Sequence, residues 1–306
     1  MRNWRDGQSL GYLLLLPLLV YWQWKQGFSW PLYLLELFLT LGVGVIHHNH
    51  THLRIWRWRW LNRLTDLWIS LLQGHPSFVF YPAHIANHHR YKHGAKDAAR
   101  TYRFNAPGAR GDSNNLVGYL LHPVQAGVVL YPLIFAWLKQ RYNKQRAYFY
   151  FCLLQYFIVL GAWCWLALLD WRKWLVLVLI PQLHGLHWLL ATNYLQHAHA
   201  DGSGNNLNFA RNFYGLVNPL LFNIGLHTAH HFHPRAHWSQ LTVLDEHYKQ
   251  RVAPQLIERG LVRYMLRSYV LALVHPRWRS QSLHVNHHLD NSCRMQDSHS
   301  LPKRNT

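Results

Sequence analysis

The sequence predicts an all-α integral membrane protein: a bundle of about four transmembrane helices, with interfacial helices and a histidine-rich cap on one face. Three observations carry that expectation. Half of the 306 residues are apolar, yet the mean hydropathy is only −0.15, so apolar blocks must alternate with very polar ones. The chain holds 16 Trp and 17 Tyr, whose amphipathic rings settle at the headgroup level of a bilayer. Its 25 histidines are gathered into clusters rather than scattered.

The apolar blocks fall at residues 10–22, 30–46, 116–138, 147–168 and 174–195. About 20 helical residues cover the ~30 Å hydrocarbon layer. The first two blocks are short alone, but Trp and Tyr at their ends extend the buried length. Residues 1–10 are charged and then apolar, as in a signal peptide. No small-residue cleavage site follows, so the segment reads as a retained anchor helix. Lys and Arg collect on the cytoplasmic side. Arg2 and Arg5 set the N-terminus inside, and two crossings return the chain inside before Arg54, Arg57, Arg59 and Arg63. If 116–138 also crossed, Lys139, Arg141, Lys144 and Arg146 would lie outside, against that rule. The block also carries His122, Pro123, Gln125 and Pro132. It is therefore expected to lie in the interface or re-enter. Blocks 147–168 and 174–195 form a hairpin around residues 170–173. Five crossings would instead split the histidine clusters between opposite faces. Residues 1–275 are expected to form one domain. Residues 276–306 are polar and aperiodic, and are expected to be a disordered tail. No internal repeat is visible.

The formal net charge is +19, from 31 Lys+Arg against 12 Asp+Glu. Such an excess suits nucleic acid, an anionic membrane surface or an acidic protein partner. No nucleic-acid motif is present, and no nucleic acid is expected as a partner. Cys152 and Cys164 sit in apolar blocks and Cys293 in the polar tail. They form no paired framework, so a reducing face without disulfides is expected.

Four histidine clusters carry the chemistry. The first is His47-His48-Asn49-His50-Thr51-His52, directly after the second crossing. If that helix continues, His48 and His52 share a face. The second is His84-Ile85-Ala86-Asn87-His88-His89, in which His84 and His88 share a face and His89 sits about 100° away. The three can bracket two metals. The third is Asn193-Tyr194-Leu195-Gln196-His197, at the inner end of the last crossing. The fourth is His227-Thr228-Ala229-His230-His231. A lone i, i+4 pair is a weak signal. His284-Val285-Asn286-His287-His288 copies the fourth spacing within the polar tail and reads as a decoy. Four clusters on one expected face point to a metal site. Imidazole suits Fe, Zn and Cu, and hardly any acidic residues stand near the clusters.

The series H-x3-H, H-x3-HH, N-Y-x-x-H and H-x2-HH resembles the integral-membrane fatty acid desaturases. It is similar above all to their alkane monooxygenase branch, over roughly residues 47–234. The resemblance implies nine ligands for two non-haem iron ions: His48, His52, His84, His88, His89, His197, His227, His230 and His231. It leaves the first cluster's register open, with His47 or His50 in place of His48. It further implies an O2-dependent oxidoreductase that attacks an unactivated C–H bond of a lipid chain. Gln196 replaces that branch's Glu and Ala83 its acidic residue before the second cluster. These departures favour fatty acyl desaturation over alkane hydroxylation. Asn193, Asn87 and His187 are expected to orient ligand rings from outside. Glu36, within the second crossing, has no obvious partner. Trp56, Trp58 and Trp60 are expected to anchor the interface.

No flavin, haem or dinucleotide element is visible, so electrons are expected from an external donor such as a ferredoxin or rubredoxin. Arg90, Lys92, Lys96, Arg100 and Arg103 would steer an acidic donor or rest on anionic lipid. The expected setting is a bacterial inner membrane with the site on the cytoplasmic side. Two other functions compete. One is a hydroxylase or ketolase of an alkyl, sphingolipid or carotenoid chain. The other is a His-rich metal transporter, which would place ligands along a mid-membrane path rather than at helix ends.

Overall fold

The computed structural model describes residues 1–102, 116–202, 207–280 and 282–283. Its architecture is helical, with one two-stranded parallel pairing, Asn212–Phe213 against Ile257–Glu258 (β1 and β2). Helix α1 (Gly7–Gln26) packs against α2 (Trp30–His52), whose second residue, Pro31, presets the helical φ at its start. Gly42 permits that approach, because a Cβ there would lie 2.3 Å from the Tyr12 ring. Near the other end of the pair, Gln23 donates to the buried Glu36 carboxylate at 2.7 Å. This is the partner the sequence did not reveal.

Helix α3 (Arg59–Gln73) is amphipathic in reverse. Its buried side carries Asn62, Thr65, Asp66, Ser70 and Gln73, while Trp60, Leu64 and Trp68 face outward. A lipid surround explains that inversion, since polar groups there must find partners inside the protein. Trp58 and Trp60 are exposed as interface anchors would be. Trp56 instead donates its indole N–H to Thr65 Oγ at 2.9 Å, so its role is internal. α3 stops at Gly74, which holds φ +68°.

A π-helical segment, α4 (Tyr81–His88), follows and runs into His89–Tyr91. Beyond it come α5 (Leu116–Lys144), α6 (Arg146–Trp174) and α7 (Ile180–His197). Among the described residues, three stretches are long and apolar enough to cross a membrane: Trp30–His52, Leu116–Lys144 and Arg146–His197. The last is broken at Asp170 (φ −164°, ψ 99°), which makes it the expected hairpin. Lys173 Nζ reaches the Trp24 carbonyl at 2.8 Å, so this turn lies beside the far end of α1. α5 meets the length and composition of a crossing, although it was expected to lie along the interface. Its early residues Tyr119 and His122 pack on Tyr194. Its late residues Ile134 and Leu138 pack with Phe78 and Cys152. Both contact regions adjoin histidine-bearing segments, so α5 runs across the bundle beside the cap.

The cap is built from α8 (Val217–Leu220), α9 (His227–Phe232), α10 (Leu241–Asp245) and α11 (Leu261–Met265). Arg211 is buried and ion-paired with Glu258 at 2.9 Å, with its guanidinium over the Tyr264 ring. That pair ties β1 to β2 beneath α9. Packing runs past residue 275, where a disordered tail was expected to begin. Leu283 N–H donates to His199 O at 3.1 Å, and its side chain packs on Ala200, Val252 and Leu256. Arg103, the decoy at His284, His287 and His288, and Cys293 lie outside the described residues.

Candidate metal centre

Helix α2 continues unbroken through the first histidine cluster, so side chains four apart fall on one face. His48 and His52 point inward together, with ring centroids 4.8 Å apart. His47 and His50 turn the other way. His47 Nε2 meets Ser77 O at 2.7 Å, and His50 Nδ1 accepts from the Ile55 N–H at 3.2 Å. Of the three alternatives in this cluster, His48 is the one whose ring joins His52, His84, His89 and His230. His50→Ala orphans a buried N–H, which is expected to lower stability by about 1–3 kcal/mol. Metal uptake should be unchanged; thermal unfolding and metal analysis of the same sample check both.

The second cluster departs from α-helical spacing. His89 N–H bonds back to His84 O, five residues away, so His84 and His89 come together. Their Nε2 atoms are 3.0 Å apart. His88 points to the opposite side and meets His197 Nε2 at 3.2 Å. The expectation that His84 and His88 act on one face is therefore corrected, and the π turn is the reason.

Two groups result. One is His48, His52, His84, His89 and His230; the other is His88, His197, His227 and His231. Within each, the candidate ligand atoms lie within 4.8 Å of one another. The doublets His88-His89 and His230-His231 each give one ring to either group, which makes the groups neighbours. His89 and His231 stack across the divide at 4.3 Å. All nine histidines named from sequence fall in these groups.

The geometry fits metal. Ligands ~2.1 Å from a common centre and at right angles stand about 3.0 Å apart. The contacts His227–His197, His231–His227 and His230–His89 are 3.0, 3.0 and 3.1 Å between Nε2 atoms. His48 Nε2 and His52 Nε2 are buried without a hydrogen-bond partner among the described residues. Burial first, then neighbouring imidazoles, hold His84, His89, His227, His230 and His231 well below the ordinary histidine pKa. Burial therefore disfavours the protonated form of these rings and favours a lone pair on each.

The outward nitrogens are tied down. His197 Nδ1 donates to Phe209 O at 2.7 Å, and His88 Nδ1 meets Asp97 Oδ2 at 2.6 Å. Each bond leaves Nε2 as the free acceptor. Asp97 is wholly buried. Burial alone would raise its carboxyl pKa, but the His88 ring and the Ala99 N–H outweigh it and hold the group well below the usual carboxylate range. Sequence reasoning missed Asp97. Its only signal was an acidic residue nine positions after His88 in an acid-poor chain.

Asn87, Asn193 and His187 were expected to orient ligand rings, but among the described residues their hydrogen bonds and ring contacts go elsewhere. Asn87 Oδ1 accepts from the Ala98 N–H at 2.8 Å. Asn193 Nδ2 donates to Ala99 O at 2.9 Å. Both brace the loop that carries Asp97. His187 lines a cavity and faces the Tyr119 ring. Gln196 donates to Ile224 O at 2.8 Å, fixing the approach to α9. Asn212 pairs with both the hydroxyl and the N–H of Thr228, clamping the start of α9. Of the basic loop residues, Arg100 is engaged with Asp97 O, and Lys92 sits over the Phe232 ring at 4.7 Å.

A cavity of about 1270 Å³ opens onto His48, His84, His88 and His227. Its walls are mainly apolar side chains from α2, α5, α6 and α7. Residues 22–263 match the family described as Fatty acid desaturase. Comparison with curated proteins and with solved structures gives no match. The match spans most of the chain and includes every residue of both histidine groups, and the chain belongs to the fatty acid desaturase family, membrane oxidoreductases of the desaturase and hydroxylase type.

Proposed function

We propose that the chain is an O2-dependent desaturase that introduces a double bond into the alkyl chain of a lipid. The observation that supports this reading is the junction of two histidine groups with one long apolar cavity. Five imidazoles would hold one iron ion and four the other. With its first coordination sphere built from neutral nitrogen, the pair supplies oxidising power toward an unactivated C–H bond when bound.

The protein's own part is positional. The apolar walls hold the alkyl chain extended and exclude water from it. Asp97 and Phe209 O fix the rings of His88 and His197 through Nδ1, so that Nε2 of each would be the atom that holds a metal. The overall exchange removes two hydrogens from adjacent carbons. O2, two electrons and two protons from outside complete the balance, leaving two waters. The electrons come from a separate iron–sulfur or rubredoxin-type donor. The Lys and Arg pattern supports a cytoplasmic position for this site.

Expression in a host with no such activity, followed by lipid mass spectrometry, tests the reading. The purified chain should carry about two irons and consume O2 when given a reduced donor. The product should lack two hydrogens. A product that gains one oxygen would replace desaturation with hydroxylation. Tight metal binding without O2 uptake would overturn both.

A further inference from the structure

The cavity is not uniformly neutral. Apart from histidines, Arg263 is the one ionisable cation or anion of the Asp, Glu, Lys and Arg type among the described residues that line it. Arg263 sits on α11 at the rim, exposed, and makes no ion pair among the described residues. Its neighbour Arg267, one turn on, is by contrast committed to Glu258 at 2.7 Å.

The rim has a second property. Leu216, just before α8, and Val217 and Leu220 on it line one side, and Leu261, Val262 and Met265 line the other from α11. Both sides also turn apolar groups outward. Leu216 is 77 % exposed and Val262 69 %; Leu266, Val270 and Val274 continue the exposed face. A row of outward-facing aliphatic side chains on short surface helices marks a face immersed in lipid. Arg263 is exposed among these apolar rim residues, a setting in which an arginine stem lies on apolar surface while its guanidinium reaches the headgroup layer.

We infer that Arg263 is a specificity-determining residue: it binds an anionic group at one end of the alkyl chain, which enters laterally between α8 and α11. The chemistry is a phosphate or carboxylate attached to an aliphatic chain, because guanidinium meets both with paired hydrogen bonds. A neutral hydrocarbon has nothing to offer it. The inference rests on the cavity being the alkyl-chain site. Anchoring the head also fixes which carbon lies beside His48, His84, His88 and His227. Position along the chain is then counted from the charged end.

The test is binding to the metal-loaded, detergent-solubilised chain without an electron donor, read by native mass spectrometry. The probes are hexadecyl phosphate, hexadecanoate and hexadecanol. The two anions should bind roughly tenfold more tightly than the alcohol. Arg263→Gln should abolish that preference and leave hexadecanol unchanged, while Arg263→Lys should keep part of it. An advantage of phosphate over carboxylate assigns the source to a phospholipid-type head; the reverse assigns it to a free fatty acid. Equal binding of all three to the unmodified chain overturns the role of Arg263 and leaves the proposed function standing. Equal weakening of alcohol and anions by Arg263→Gln does the same. Failure of all three probes to bind overturns the alkyl-chain reading as well. In the active enzyme, Arg263→Gln should spread the double bond over several positions.

Discussion

Replacing Asp97 with Asn is expected to empty the four-histidine group while the five-histidine group stays filled. The reason is local. Asp97 touches His88, and His88 belongs to the four-histidine group. A carboxylate only accepts hydrogen bonds, so it forces the His88 proton onto Nδ1 and leaves Nε2 as a ligand. An amide at the same place can donate to Nδ1, and the proton then moves to Nε2, where it blocks metal. Partners of this kind are worth roughly 10–100-fold in metal affinity. Graded chelator dialysis should show metal content falling from about two per chain toward one, at chelator levels that leave the unmodified chain loaded. Asp97→Ala should fall further, because the N–H groups of His93 and Ala99 also lose their acceptor. Loss of both ions together, or of neither, would show that Asp97 does not govern one group selectively.

The four histidine clusters were legible in the sequence because their spacing is local and their number is unusual, and the family resemblance then singled out nine of their rings. Their division was not. A doublet such as His88-His89 says only that two rings diverge, and the π turn that decides which ring goes where rests on backbone bonds shifted by one residue. Asp97 was hidden for another reason. Its bond to His88 closes a loop whose shape is set by Asn87 and Asn193, and both were read as acting on ligand rings directly. The helices on either side of the cap were legible as apolar blocks, but α3 was not. Its polar side is the buried one, so a reading that seeks apolar residues for the core finds no core face there. α5 is the instructive middle case. Its charge and prolines pointed to the interface, whereas its length and hydropathy equal those of a crossing, and only its packing beside Tyr194 at one end and Phe78 at the other relates it to the cap.

The cavity wall makes a prediction of similar size. Gly127 on α5 lines the cavity, and a Cβ placed there meets no heavy atom within 4 Å. A larger side chain at this position enters space rather than protein, so Gly127→Phe should fold while shortening the alkyl chain that fits. A ring that displaces three methylenes removes burial of about 0.8 kcal/mol each, or about 2.4 kcal/mol in all, which is close to 60-fold in relative kcat/KM. Competition between long and short saturated chains in one assay reads that ratio directly. Gly127→Ala, adding one methyl group, should move it only slightly. The metal content of Gly127→Phe should match that of the unmodified chain, because no histidine of either group lies on α5. An unchanged chain-length preference in a folded, fully metallated Gly127→Phe enzyme would mean that the substrate lies elsewhere than along α5. A uniform loss on all chains would mean that the ring blocks entry rather than the chain's far end, which would put Gly127 on the path between the α8–α11 rim and the histidines.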